Sequence, residues 1–120
     1  MSNDNERTRV LLVDPNRDRV AFLRRILQQR EFDVAAAESS TSARNLLAAQ
    51  PFSFVLIEKA GIGLAVDIVT CRLPIRPVIF ASGRLSEEEN EICRRHDLHV
   101  FEKQFAAIDL IAHLDGIRGQ

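Results

Sequence analysis

Three uninterrupted apolar runs constrain this chain more than any other feature. They are Val10-Leu11-Leu12-Val13, Phe54-Val55-Leu56-Ile57 and Pro77-Val78-Ile79-Phe80-Ala81. Each is too short for a helix and is apolar on both alternating faces of a strand. A strand with no polar face has to be covered on both sides, the situation of a parallel sheet between helices. The first run is bounded by Arg9 and Asp14, and Asp14-Pro15-Asn16 breaks it. Val20, Leu23, Ile26 and Leu27 then recur at helical spacing with arginines between them, so an amphipathic helix is expected over about 17–30.

The same alternation continues along the chain. Phe32 to Ala36 reads as a short second strand. Ser39-Ser40-Thr41-Ser42 offers N-caps for a helix with Ala43, Leu46 and Leu47 inward, ended by Pro51. After the third strand, closed by Glu58, Ala60-Gly61-Ile62-Gly63 reads as a loop and Leu64 to Leu73 as a helix. Ser86 and Glu89 form a capping box that starts an acidic helix reaching about Arg95. His99-Val100-Phe101 is a short fifth strand. A last helix carries Phe105, Ile108, Ile111 and Leu114 and ends near Gly116. Five strand–helix units imply an α/β fold: a doubly wound, five-stranded parallel sheet with helices on both faces.

Composition narrows the function. With 120 residues the chain is the size of one domain. Lys+Arg 16 against Asp+Glu 17 leaves a net charge of -1, and Trp and Tyr are absent, so there is neither the basic footprint nor the aromatic platform of a nucleic-acid binder. No apolar run reaches membrane-span length. Residues 1–8 are polar, lack a signal-peptide core and read as a disordered leader. Cys71 and Cys93 match no disulfide or metal spacing and read as reduced thiols on helix faces, pointing to the cytoplasm. His96, His99 and His113 sit in no ligand pattern.

In an open α/β sheet, ligands bind beyond the carboxyl ends of the strands. The first strand ends in Asp14, the third in Glu58, the fourth in Ser82, and the fifth reaches Lys103. Two carboxylates, a hydroxyl and an ammonium on one sheet edge suit a hard cation and a phosphoryl group. Glu58 follows four apolar residues and should be partly desolvated, which makes Lys103 its natural partner.

These residues carry a family resemblance. From about Arg9 to Leu114 the sequence resembles a response-regulator receiver domain (CheY-like), the module that accepts a phosphoryl group from a histidine kinase. Val10-Leu11-Leu12-Val13-Asp14 resembles the family's first strand and its acidic pair. Glu58 falls at the phosphoacceptor aspartate, Ser82-Gly83 at the Ser/Thr-Ala pair, and Lys103-Gln104-Phe105 at the Lys-Pro-Phe signature. The resemblance implies one receiver-like domain over 9–120, flavodoxin-like, with strand order 2-1-3-4-5 and five helices. The spacing from Glu58 to Ser82 is several residues short, so the third helix is expected to be cut down.

The departures bear on activity. Pro15 replaces the second acid, Glu58 the phosphoacceptor, Val100 the switch aromatic and Gln104 the proline after the lysine. This is the pattern of a degenerate pseudo-receiver that is not an enzyme. It implies Asp14 as a remnant, weak metal ligand, Mg²⁺ binding weak or absent, and no other cofactor. Glu58 and Lys103 would form a fixed pair, either mimicking the phosphorylated state or structural only. The alternative is a working Mg²⁺-dependent phosphoacceptor that regulates an output domain or partner. A nucleotide-binding flavodoxin-like protein ranks last, because no Gly-rich loop follows the first strand. Expected partners are proteins: a histidine kinase, an output domain or another receiver. The face formed by helix 4, strand 5 and helix 5, with Arg94, Arg95, Glu102, Asp109 and His113, could support a homodimer. Neither nucleic acid nor membrane is an expected partner.

Overall fold

The apolar runs become the three central strands of one sheet. The computed structural model describes residues 8–81 and 83–101. Its strands are β1 (Arg9–Val13), β2 (Asp33–Ala37), β3 (Phe54–Glu58), β4 (Arg76–Phe80) and β5 (His99–Phe101). They run in the order β2-β1-β3-β4-β5, and every pairing is parallel. The parallel pairing is that expected from the strand–helix alternation, and the order is the one the receiver resemblance implies. Val13 lies opposite Ala37 on one side and Ile57 on the other, so β1, β2 and β3 finish nearly level.

The strands alternate between two cores. Leu11, Val13, Val55, Ile57 and Ile79 face α2 (Ser40–Ala49), α3 (Ile62–Thr70) and α4 (Glu87–Arg95), packing with Ala43, Leu64, Ala65, Ile68 and Cys93. Val10, Leu12, Phe54, Leu56, Val78 and Phe80 face α1 (Arg17–Gln29), packing with Leu23 and Leu27. Two covered faces explain why the central strands lack polar alternation. Burying one Leu or Ile side chain contributes about 1.5–3 kcal/mol. An exposed ion pair such as Arg17–Glu38 contributes about 0–1 kcal/mol. The two cores therefore dominate the stability.

Caps set the helix starts. Asn16 accepts the Arg19 N–H, Ser39 accepts the Ser42 N–H, and Ser86 and Glu89 exchange bonds in the expected capping box. Three helices end alike and without glycine. Beyond α1, α3 and α4 the chain turns through Glu31, Arg72 and Asp97 at φ 66°, 56° and 53°. The N–H groups of Phe32, Leu73 and Leu98 then bond back to Leu27, Ile68 and Cys93, the pattern of a Schellman motif.

One connection differs from expectation. In place of a loop over 60–63, a 3₁₀ turn (Lys59–Gly61) leads directly into α3, which begins at Ile62 and stops at Thr70 instead of running from Leu64 to Leu73. Glu58 caps the turn by accepting the Ala60 N–H. Gly61 lets the turn pass close over β3: a Cβ there would lie 2.7 Å from the Ile57 Cγ2. Gly63 meets no such neighbour and is simply carried inside α3. The left-handed turn at Arg72 ends the helix early. The expected leader over 1–7 and the last helix after Phe101 lie outside the described residues.

Candidate functional site

The carboxyl edge of β1 is built around a buried carboxylate. Asp14 follows β1 directly and is 1% exposed. Its N–H donates to the Ala37 carbonyl at 3.1 Å, which ties it to β2. The Asn16 N–H donates to Asp14 Oδ1 at 2.9 Å, closing the turn over Pro15. That turn aims α1, whose third residue is Arg19. The Arg19 side chain folds back over the turn. Its Nε donates to Asp14 Oδ2 and its Nη2 donates to Oδ1 at 2.9 Å, a two-point clamp.

The clamp is asymmetric in burial: the Asp14 side chain is 0% exposed and that of Arg19 29%. The guanidinium carbon also lies 6.0 Å from the centroid of the Phe80 ring on β4. A cation in the first turn of a helix opposes the helix dipole, and Asp14 supplies the compensating charge. Hydrogen bonding to Asp14, together with the fields of Asp14 and Glu58, outweighs burial and holds Arg19 more firmly protonated than usual. Arg19 thus ties the start of α1 to the acid at the end of β1, beside the point where the strand order reverses.

Glu58 is half-buried at the end of β3, as its apolar approach implied. Its Oε1 accepts the Ala60 N–H at 3.0 Å, so part of the carboxylate is engaged by its own turn. It borders a cleft of about 160 Å³ together with Val13, Pro15, Ser40, Ala60 and Gly61. A larger hollow, about 530 Å³, lies at the opposite edge beside Phe54 and Arg76, the first residues of β3 and β4. Ser82, Lys103 and Gln104 lie outside the described residues, as do Glu102, Asp109 and His113. Val100 on β5 is half-buried against the core shared with α2, α3 and α4. Cys93 is buried as a helix-face residue, but Cys71 is exposed: it caps the end of α3, where the helix stops short.

No protein-family model matches the sequence. No curated protein matches it either. The fold does have relatives among solved structures. A CheY-like receiver domain protein from Methanospirillum hungatei matches with a TM-score of 0.83 at 16% identity, over 92% of this chain and 92% of that one. A response regulator receiver protein from Pseudomonas putida matches with a TM-score of 0.82 at 20% identity, over 92% and 97%. The fold is that of a receiver domain. The response regulator TrrA from Thermotoga maritima, solved in complex with Mg(2+)-BeF, matches with a TM-score of 0.78 at 16% identity, over 91% and 97%.

A divalent cation does not fit the receiver-fold residues present here. Mg²⁺ is usually anchored by carboxylate oxygens in near-octahedral geometry. Both oxygens of Asp14 already accept bonds, from Arg19 and Asn16. The next position is Pro15, and Glu58 serves its own turn. Among the described residues, no three His, Cys, Asp or Glu side chains are grouped so as to hold a metal. Asp14 and Glu58 both lie at strand ends on this edge, whereas Arg19, one of the arginines of an amphipathic helix in the sequence pattern, does not stand out there as a site residue. The available signal was an arginine in the first turn of a helix, three residues after an Asn cap and five after a strand-end acid.

Proposed function

We propose that this chain is a receiver-like signalling domain of a two-component phosphorelay that works through protein contacts without normal phosphotransfer. Glu58 carries this reading. It occupies the end of β3, where the resemblance places the phosphoacceptor aspartate, and one of its oxygens is engaged by the Ala60 N–H. Pro15 in place of a second acid supports the same conclusion. Its partners are a histidine kinase, an output domain or another receiver in the cytoplasm. The contact face includes α4 and β5. On α4, Glu91 pairs with Arg94 at 2.7 Å and with Arg95 at 3.6 Å, leaving a mixed-charge surface suited to polar, self-complementary contact. Lys103, the expected partner of Glu58, lies outside the described residues. Among the described residues no helix is long and apolar enough to cross a membrane.

The test is to incubate the protein with Mg²⁺ and a small phosphodonor and weigh it intact. No phosphoryl adduct is expected. An adduct that disappears in Glu58→Gln would establish a working phosphoacceptor and overturn the proposal.

A further inference from the structure

We propose that the Arg19 guanidinium is the resident cation of the acidic edge and takes the place of a divalent metal ion there. An acidic edge needs a counter-charge: a buried carboxylate with no partner is costly, and Asp14 is fully buried. Here that charge is covalently part of α1. Arg19 binds both oxygens of Asp14, lies within the field of Glu58 and stands over the Phe80 ring. It therefore bridges the end of β1 and the Phe80 ring at the end of β4. A planar guanidinium suits this role because two of its donors fit one carboxylate in parallel.

The arrangement also explains why the arginine lies so near the start of α1, where the helix dipole disfavours positive charge. A metal comes and goes with its concentration, whereas a side chain cannot leave. Asp14 is consequently neutralised at all times, and the domain is indifferent to Mg²⁺. This deepens the phosphorylation-independent reading and rests on it for its signalling consequence only.

The experiment compares the wild-type protein with Arg19→Ala in MgCl₂ and in NaCl of matched ionic strength. The thermal midpoint of the wild type should not respond to Mg²⁺. Arg19→Ala, with both bonds from Arg19 to Asp14 removed, should gain a Mg²⁺-dependent rise of about 3–6 °C at a cation concentration several times the dissociation constant. Adding Asp14→Asn should abolish that rise. A folded Arg19→Ala that ignores Mg²⁺ overturns the proposal.

The wild type supplies a second readout that does not depend on the variant folding. Mn²⁺ should leave the amide signals of Val13, Asp14, Asn16 and Glu58 unbroadened. Selective broadening there would show a metal competing successfully with Arg19 and overturn the proposal. Failure of the functional reading is recognised separately, by a phosphoryl adduct on Glu58.

Discussion

The Asp14–Arg19 clamp makes a prediction that runs against intuition. The fully buried member of the pair should be the less costly one to neutralise. Arg19→Leu leaves a carboxylate that is 0% exposed, with the Asn16 N–H as its remaining described donor. Breaking a buried pair in this way costs about 3–5 kcal/mol. Removing a cation from the first helical turn returns about 0.3–1 kcal/mol, so a net loss of about 2–4 kcal/mol is expected. Asp14→Asn keeps an acceptor for the Asn16 N–H and leaves a guanidinium that is already 29% exposed and can turn to solvent. It forfeits charged hydrogen bonds, a loss of about 1.5–3 kcal/mol. The double variant should cost about as much as Asp14→Asn alone, a coupling of about 2 kcal/mol or more. Urea unfolding should be followed by far-ultraviolet circular dichroism, since the chain has no Trp or Tyr to report by fluorescence. If Asp14→Asn costs more than Arg19→Leu, or if the two losses add within about 0.5 kcal/mol, the two side chains do not act as a pair and the reasoning fails.

Four further positions give measurable outcomes. Gly61→Ala places a methyl group against the buried Ile57 side chain and should lower stability by about 1–3 kcal/mol in the same urea assay. Gly63→Ala, which meets nothing within 4 Å in the first turn of α3, should do no harm. Glu31→Gly should raise stability by about 0.5–1 kcal/mol by removing left-handed strain after α1, and the β-branched Glu31→Val should lower it. Glu91 is held below the ordinary carboxylate range by its hydrogen bond from Arg94, then by the charges of Arg94 and Arg95. Because its folded value is depressed, the associated stabilisation is present above the unfolded value and disappears as pH falls through the folded one. A carboxyl titration by NMR should place its midpoint low, and high salt should move it back up, since the pair is exposed.

The pattern of residues along the chain already determines the layers. Runs such as Val10–Val13 and Phe54–Ile57 can only be satisfied by cover on both faces, and that requirement leads to parallel strands with helices on either side. Local chemistry also sets most helix starts, because Ser39 and the Ser86–Glu89 box satisfy N–H groups within their own turns. Even the placement of Asp14 and Glu58 on one edge follows from their positions at the ends of apolar runs. The helix ends were harder to read, since Glu31, Arg72 and Asp97 occupy left-handed positions where glycine is the usual signal. Gly61 and Gly63 look alike in sequence, yet one lies over Ile57 and the other in open space. The pairing of Asp14 with Arg19 belongs to the assembled molecule alone. It depends on the angle at which α1 leaves the sheet and on how deeply Asp14 is buried beside β2, neither of which is a property of five neighbouring residues. Burial turns an ordinary strand-end acid into one that must have a counter-charge, and the fold supplies it from the first turn of the next helix.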